Sequence, residues 1–416
     1  MEKRRFWNYE NKLVALFFFS IGFVFFDRLA INYLVPFIQK DFSLTNTQIG
    51  LLGSALAITW TLSGPLGGYL SDRAKSKKVI LAIFVLGFSL ISLLHGIVAS
   101  FAMLFFCRLI MGLVEGPITP ITQSVLAIES SEKRRGFNVG LTMNTGNAVF
   151  GSFLAPLVIV ALANAFDWRT AFYLTIIPGI ILAIFILKVM KNPKVSEEAV
   201  ISPAASADKV SFKDVIKHRN IWLSIIMFSF FMTYVMAFNI FGPNFLVNAK
   251  GFSESTMSLI MAAFGAGFAI LGVLVPAISD RVGRKPITII FGAFSIFTPL
   301  AVYYVDSVAL MIPLVFLFSS GMGAGALYMS VIPAESVPVR YAGVAVGLVI
   351  GFGEFFGGFI NPILSGMAAD AFGLGAPLFI SAGGAALAFF FSLFLKETAP
   401  VKVVMNQKIN NVITEL

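Results

Sequence analysis

Two similar stretches decide the fold: GGYLSDRAKSKK at residues 67–78 and VPAISDRVGRKP at residues 275–286. Their aspartates, Asp72 and Asp280, are separated by half of the 416-residue length. A second pair of similar segments, ESSEKRRGFNVGL and ESVPVRYAGVAVGL, recurs at nearly the same spacing. The sequence therefore predicts two related halves that arose by duplication. Parallel repeats of this kind place a substrate site where the halves meet, near the middle of the bilayer.

The composition assigns both halves to a membrane. Hydrophobic residues make up 58% of the chain and charged residues only 12%, whereas about 25% are charged in ordinary soluble domains. Twelve apolar runs are long enough to span, which predicts an all-α membrane protein with twelve transmembrane helices in two pseudo-symmetric six-helix halves. The runs are 13–39, 47–70, 79–100, 103–128, 137–164, 169–189, 221–248, 256–279, 286–305, 308–332, 341–368 and 374–395.

The basic residues predict the orientation. If the N-terminus is cytoplasmic, most of the 30 lysines and arginines fall in cytoplasmic tails and loops, and the external loops hold only Lys40, Arg169 and Lys250. The positive-inside rule then places both termini in the cytoplasm of a multi-pass protein of the cell (inner or plasma) membrane. The net charge of +9 is explained by this distribution, so no nucleic-acid partner is expected. The predicted segments are a first half at 1–189, a cytoplasmic linker at 190–219, a second half at 220–396 and a cytoplasmic tail at 397–416.

Charged residues lie in the middle of two spans of the first half. Asp27 and Arg28 fall near the centre of the first span, and Arg108 and Glu115 lie two turns apart on one face of the fourth. A charge at this depth costs at least ~2.5–3.5 kcal/mol on insertion scales, so it needs a partner or a water-filled cavity. We expect each arginine to find a carboxylate in a charge network that includes Arg108. A purely structural ion cluster is the alternative.

The same charges suggest a transport cycle. Arginine keeps its proton and offers a fixed bidentate site, so Arg28 is the candidate for binding a substrate carboxylate. Asp27 and Glu115 are the candidates for proton coupling, because protonation of either would free Arg28 from an internal partner. Glu354 is a fifth charge within a span, and we expect it either to carry a second proton or to pair with a basic group across the interface.

Uncharged polar residues within spans are candidates for recognising substrate hydroxyl groups, although each could instead form a hydrogen bond between helices. They are Asn32, Tyr33, Asn144, Asn147, Tyr234, Asn239 and Asn361. The sequence has no G-x-x-x-x-G-K-[ST] phosphate loop, no H-E-x-x-H and no G-x-S-x-G motif. We therefore expect no enzyme activity, no cofactor, no metal and no use of ATP.

The loop between the second and third spans resembles that of the major facilitator superfamily, G-x-x-x-D-R-x-G-R-K. The first copy matches at Gly68, Asp72, Arg73, Lys77 and Lys78 and departs at Lys75 and Ser76. The second copy matches at Asp280, Arg281, Gly283, Arg284 and Lys285 and has Pro276 in the first position. The resemblance covers nearly the whole chain and implies the major facilitator fold.

The position of these loops predicts a conformational latch on the cytoplasmic side. A carboxylate at Asp72 can interact with a helix N-terminus, and Arg73 can pair with Glu129 or Glu132. Such contacts would tie helices together in the outward-facing state. In the second half Asp280, Arg281 and Glu335 would repeat the arrangement. The alternative is that these charges only set the topology.

Within the superfamily the first half is similar to the anion:cation symporters, which take up sugar acids and other organic anions with protons. The similarity rests on D-R at 27–28, R-x-x-x-G-x-x-E-G-P from Arg108 to Pro117, and WRTAFYLTIIPG at 168–179. It implies protonation of Asp27 and Glu115 and anion recognition by Arg28. The chain departs from that family in the second span, where it has Trp60 and Gly64 in place of the frequent Tyr and Gln.

These features predict a secondary transporter that takes up a small organic anion with protons and functions as a monomer. Spinster-like lysolipid and sphingolipid transporters are similar in the first span as well, and they share the acidic residue of the fourth. A lysolipid transporter is therefore the alternative, and the lining of the pocket must decide between them. A transport-derived sensor is a further alternative from another class.

Overall fold

The computed structural model describes residues 7–74, 76–131, 134–192 and 212–402, without the side chains of residues 72, 212 and 213. This part of the chain is nearly all helical and contains no strand. We number its long helices in chain order: α1 Tyr9–Phe42, α2 Asn46–Arg73, α3 Lys77–Ile97, α4 Phe101–Glu129, α5 Arg135–Ala165, α6 Trp168–Val189, α7 Arg219–Ala249, α8 Glu254–Val282, α9 Arg284–Tyr304, α10 Val308–Glu335, α11 Val339–Phe372 and α12 Ala376–Ser392.

The helices agree with the predicted spans. Eleven are long and apolar enough to cross a membrane, and α12, at 17 residues, is shorter. Long apolar runs form helices because only a helix or a closed barrel pairs every backbone group within the hydrocarbon. The predicted all-α membrane fold is therefore confirmed. Most of the predicted linker (193–211) and tail (403–416), together with Glu132, lies outside the described residues.

Side-chain caps fix the beginnings of several helices. Thr45 and Gln48 form a capping box before α2, in which the Thr45 hydroxyl accepts from the Gln48 amide at 3.2 Å and the Gln48 side chain accepts from the Thr45 amide at 3.0 Å. Ser100, Asp167 and Ser253 are simple N-caps of α4, α6 and α8, and each side chain accepts a hydrogen bond from the backbone amide three residues later. These four helices begin on the side of the molecule opposite the termini, which we call the far side. The caps therefore mark where the chain re-enters the bundle.

The first six and the last six helices are in close contact on the far side. Helix α2 packs against α11 and α5 packs against α8, and glycines allow the approach. A Cβ added at Gly50 would overlap the backbone carbonyl of Pro362, and one at Gly265 would overlap the backbone of Ser152. The backbones themselves therefore close the far side.

Polar contacts add to this closure. The Asp370 carboxylate, at the end of α11, accepts from the backbone amides of Asn46 and Thr47 at 2.8 and 2.9 Å. A carboxylate at a helix N-terminus satisfies unpaired amides and complements the helix dipole. The ammonium of Lys40 lies 2.9 Å from Glu254 and bridges α1 to α8. Both contacts join the first half of the chain to the second.

The opposite side, which holds the beginning of α1 and the end of α12, is open between the halves. The first part of α11, Ala342–Gly353, packs mainly against α7 and α10, whereas Glu354–Ile360 also packs against α2. A Cβ added at Gly140 of α5 or at Gly347 of α11 would meet nothing within 4 Å. We call this the terminal side, and the helices diverge toward it.

Candidate functional site

A cavity of about 270 Å³ lies between the halves. Its two walls differ in chemistry. The first half contributes six polar residues: Arg28, Thr119, Gln123, Asn144, Asn147 and Ser152. The second half contributes mainly phenylalanine and methionine side chains, with Asn239 and Glu354 as its polar members. One cation and one anion therefore face a cavity that is otherwise lined by amides, hydroxyls and apolar groups.

Arg28 provides the only cation among the residues that line this cavity. Its guanidinium carbon lies 5.0 Å from the centre of the Trp60 ring and 5.7 Å from that of Phe25, and the residue is 7% exposed. No carboxylate of the described residues forms an ion pair with it. Aromatic faces attract a cation without using its hydrogen-bond donors. The donors of Arg28 thus remain available to a ligand, and Trp60, the departure noted in the sequence, supports the guanidinium.

Arg108 does not line the cavity and holds the backbone of α1 in place. Its two terminal nitrogens donate to the Arg28 carbonyl at 3.3 Å each, and its Nε donates to the Leu52 carbonyl at 3.3 Å. The expected pairing of each arginine with a carboxylate is therefore wrong for this conformation. Arg108 instead holds the backbone of α1 at Arg28.

Asp27 and Glu115 are buried within the first half, at 2% and 0% exposure. The Ser92 hydroxyl of α3 donates to one oxygen of Asp27, and Ser92 also contacts the Thr175 hydroxyl. The other oxygen of Asp27 and both oxygens of Glu115 have no hydrogen-bond partner among the described residues. Both carboxylates lie behind the cavity wall, where their ionised forms lack most of the hydrogen bonds that a buried charge needs.

The predicted hydroxyl-recognition residues divide into two groups. Asn144, Asn147 and Asn239 line the cavity, and the side-chain oxygens of Asn147 and Asn239 have no partner among the described residues. The structure places the others away from it, at interhelical positions. There Tyr33 donates to the Gly151 carbonyl at 3.3 Å, Tyr234 to the Thr298 hydroxyl at 3.2 Å and Asn361 to the Thr233 carbonyl at 3.3 Å, while Asn32 is buried on α1.

The cavity also contains polar residues that the sequence analysis did not single out: Thr119, Gln123 and Ser152. Thr119 and Gln123 follow Glu115 at four-residue intervals on α4, so they share its helix face. That spacing is a signal from which they could have been found. Ser152 has no comparable signal, because its neighbours in sequence are apolar on both sides.

Several cavity residues lie in π-helical segments. Asn144 is in Leu141–Thr145, Asn147 and Ser152 are in Asn147–Leu154, and Glu354 begins Glu354–Ile360. A π-helical turn shifts the face on which a side chain emerges, and such turns are frequent at functional sites. The helices that meet between the halves are therefore locally wound to present polar groups to the cavity.

The predicted latch residues lie on the terminal side. In the second half, Arg284 joins Asp280, at 2.5 Å, to Glu335, at 2.8 Å. The expected role of Arg281 is therefore corrected, since Arg284 is the residue that pairs with both carboxylates. In the first half Arg73 packs over the Tyr69 ring at 4.2 Å and forms no ion pair with Glu129 in the described structure, and the Asp72 side chain is not among those described. These contacts stay within one half.

The sequence profile of the Major Facilitator Superfamily matches residues 17–361. The chain belongs to the major facilitator superfamily. The match confirms the resemblance to this superfamily that was based on the two similar loops. The twelve helices and the cavity between the halves agree with it.

Relatives within the superfamily are transporters. The chain is 28% identical over 406 residues to the hexuronate transporter of Bacillus subtilis (strain 168), covering 91% of this chain and 92% of that protein. It is 26% identical to the sialic acid transporter NanX of Escherichia coli (strain K12), covering 88% and 89%. Among solved structures, an inward-facing, unoccupied bacterial homolog of the human lysosomal transporter Spinster gives a TM-score of 0.73 at 18% identity, over 94% of this chain and 95% of the other. That last similarity shows the fold alone.

Proposed function

We propose that this protein is a proton-coupled symporter that takes up a small organic anion, such as a sugar acid, by alternating access. The observation that carries the proposal is the position of Arg28, whose guanidinium borders the cavity without an acidic partner. A buried cation held between aromatic rings, with free donors, is a site for a carboxylate. The relatives that transport hexuronate and sialic acid, both carboxylates, support this class of substrate.

The remaining polar lining suits a hydroxylated acid. The unpaired side-chain oxygens of Asn147 and Asn239 can accept hydrogen bonds from hydroxyl groups. The phenylalanine and methionine wall can pack against the carbon-bound hydrogens of a sugar ring. A cavity of about 270 Å³ is at the small end of the ~300–1,000 Å³ typical of ligand pockets, which favours a compact solute.

Proton coupling is assigned to Asp27 and Glu115. Both are buried carboxylates with unpaired oxygens, and a proton would remove the cost of leaving such a charge uncompensated. Glu115 interacts electrostatically with both Arg28 and Arg108, and Asp27 interacts with Arg108. Proton binding would therefore change the charge of the region that holds the substrate anion. In this way proton binding is coupled to substrate binding.

The side to which the present conformation opens is inferred from the topology. The positive-inside rule places the terminal side in the cytoplasm, so the present conformation faces inward. Rocking the half at 1–189 against the half at 220–396 would open the far side instead. One copy of the chain holds the entire cavity, so a monomer is sufficient for this cycle.

A lysolipid is the second candidate, and the apolar wall of the second half favours it. Phe228, Phe231, Phe264 and Phe268 together form a surface on which an acyl chain could lie. The small cavity volume and the six polar residues of the first half favour the acid. The two candidates differ in charge and size, so one panel of solutes separates them.

The test is uptake by purified protein in proteoliposomes. With an alkaline interior, labelled D-glucuronate or sialic acid should accumulate above its external concentration, and a protonophore should abolish the accumulation. The Arg28→Ala variant should lose uptake, whereas Arg169→Ala, which removes an arginine from the far-side beginning of α6, should retain it. Flux of lysophosphatidylcholine with no flux of any carboxylate would overturn the proposal in favour of the lipid.

A further inference from the structure

Glu354 borders the same cavity as Arg28 from the second half, whose wall is otherwise apolar except for Asn239. It is 9% exposed, borders the cavity, and its Oε2 has no hydrogen-bond partner among the described residues. Gly358 lies one turn later, and a Cβ there would be 2.6 Å from this oxygen. The glycine leaves the space in which the carboxylate sits. A buried acidic group that is unpaired and borders a cavity is a candidate for contact with a ligand.

The sequence alone left two roles for this residue, and its position supports a third. Arg28 and Glu354 are close enough to interact electrostatically, yet they form no salt bridge. Glu354 is also separated from Asp27 and Glu115, because it belongs to the other half and faces the cavity directly. The cavity is therefore polarised, with a cation on one wall and an anion on the opposite wall.

A polarised cavity orients a ligand. An ionised carboxylate only accepts hydrogen bonds, so Glu354 is satisfied by hydroxyl or amine donors and is opposed by a second carboxylate. A hydroxylated acid with one carboxylate can place its carboxylate against Arg28 and its hydroxyl groups against Glu354. A dicarboxylic acid of the same length can also bind Arg28 with one carboxylate. Its second carboxylate then lies against Glu354, which repels it.

We propose that Glu354 is a specificity-determining residue that binds the hydroxyl end of the substrate and thereby selects polyhydroxy monocarboxylates over dicarboxylates. The inference rests on the proposed function, since it assumes that Arg28 binds the carboxylate. It adds the orientation of the substrate, with its anion on the first half and its hydroxyl groups on the second. The substrate thus bridges the two halves.

D-Gluconate and D-glucarate test this directly, because they differ only in whether the sixth carbon is an alcohol or a carboxylate. Thermal-shift titrations of the purified protein give an apparent affinity for each. The wild type should prefer gluconate by about tenfold or more, the scale of one hydrogen bond to a charged group. Glu354→Gln should reduce the preference severalfold, because the amide is uncharged and can donate to the second carboxylate. Asp214→Asn, which removes an exposed carboxylate from the helix Phe212–Ile216, should retain the wild-type preference.

The outcomes separate the two proposals. Equal affinities of the wild type for the two acids, or an unchanged preference in Glu354→Gln, would overturn the role of Glu354 while leaving the transport of acids intact. Failure of every carboxylate to bind the wild type would overturn the proposed function and this inference with it. Equal wild-type affinities for the two acids would overturn the role of Glu354 even if the variant does not fold.

Discussion

Arg28 occupies its position because two different kinds of contact act on it. Its side chain lies against Trp60 and Phe25, while Arg108 holds its carbonyl. The guanidinium is thus oriented without a carboxylate that a substrate would have to displace. A preorganised site loses less conformational freedom when the ligand binds.

The first prediction concerns the fork of this guanidinium. Arg28→Lys keeps the charge and loses bidentate geometry, so sugar-acid binding should weaken by about 1.5–3 kcal/mol. Calorimetric titration would measure this loss of binding free energy. Arg169→Lys is the matched control, since Arg169 pairs with Asp41 outside the cavity at 2.7 Å, and it should bind normally. Unchanged affinity in an Arg28→Ala variant would show that Arg28 does not bind the anion.

The second prediction separates binding from coupling. Glu115→Gln mimics the protonated carboxyl, so the variant should bind substrate and exchange it across the membrane but should not accumulate it under a pH gradient. Asp27→Asn should behave similarly, because Asp27 contacts Ser92 and forms no ion pair with Arg28. Counterflow and gradient-driven uptake in the same vesicles distinguish the two activities. Concentrative uptake by Glu115→Gln would show that the coupling proton binds elsewhere.

The sequence was informative about charged residues and less so about neutral ones. A charge within a span is costly wherever it faces lipid, so Arg28 and Glu354 could be assigned to the interior from their positions alone. An asparagine or tyrosine within a span is equally consistent with a hydrogen bond between helices, and Tyr33 and Tyr234 proved to be of that kind. Which face of a helix meets the cavity depends on its neighbours, and the sequence does not give their packing.

At the scale of the helices, the twelve apolar runs were predictable because hydrocarbon tolerates few alternatives to a helix. The π-helical turns were not predictable. They depend on the local packing of α5, α10 and α11, and residues 141–154 show no proline or charge that would mark them. These turns affect which side chains of α5, α10 and α11 enter the cavity, so that part of the site could not be predicted from the sequence.

The third prediction concerns the close contact of α2 with α11. Gly50→Ala places a methyl group against the Pro362 carbonyl, so it should disfavour closure of the far side. Spin labels at Phe166 and Tyr304, which are both 67% exposed on the far side, should move apart in a Cys107→Ser background. Gly383→Ala, where a Cβ meets nothing within 4 Å, should leave their distance unchanged. No change in Gly50→Ala would show that this glycine is not needed for the contact.

At the scale of the whole molecule, the structure is one member of the pair of states that the proposed cycle requires. The far side is held by backbone contacts together with Asp370 and the pair Lys40–Glu254, whereas the described contacts of Arg284 on the terminal side lie within one half. The predicted latch of Asp72 belongs to the opposite state. Populations of the two states depend on the difference between these sets of contacts.

The fourth prediction compares the far side of the molecule with the terminal side. Asp370→Ala removes a carboxylate from the N-terminus of α2, so it should shift the protein toward opening of the far side. Asp72→Ala should shift it away from the outward-facing state and slow transport without abolishing binding. Distances between spin labels across each side should therefore change in opposite directions in the two variants. Unaltered distances on the terminal side in Asp72→Ala would exclude the latch.

Gly140 of α5 and Gly347 of α11 lie on the terminal side, and they suggest that inhibition by a bulky compound would depend on the side of the membrane to which it is added. A Cβ added at either glycine would meet no protein atom within 4 Å, and in the proposed cycle the terminal side closes when the far side opens. A compound too bulky for the central cavity could lodge there as a wedge. It would arrest turnover without competing with substrate, and it would act only from the compartment that the termini face. The same compound applied from the other compartment would find no entrance, so sidedness of inhibition would report which way the molecule faces.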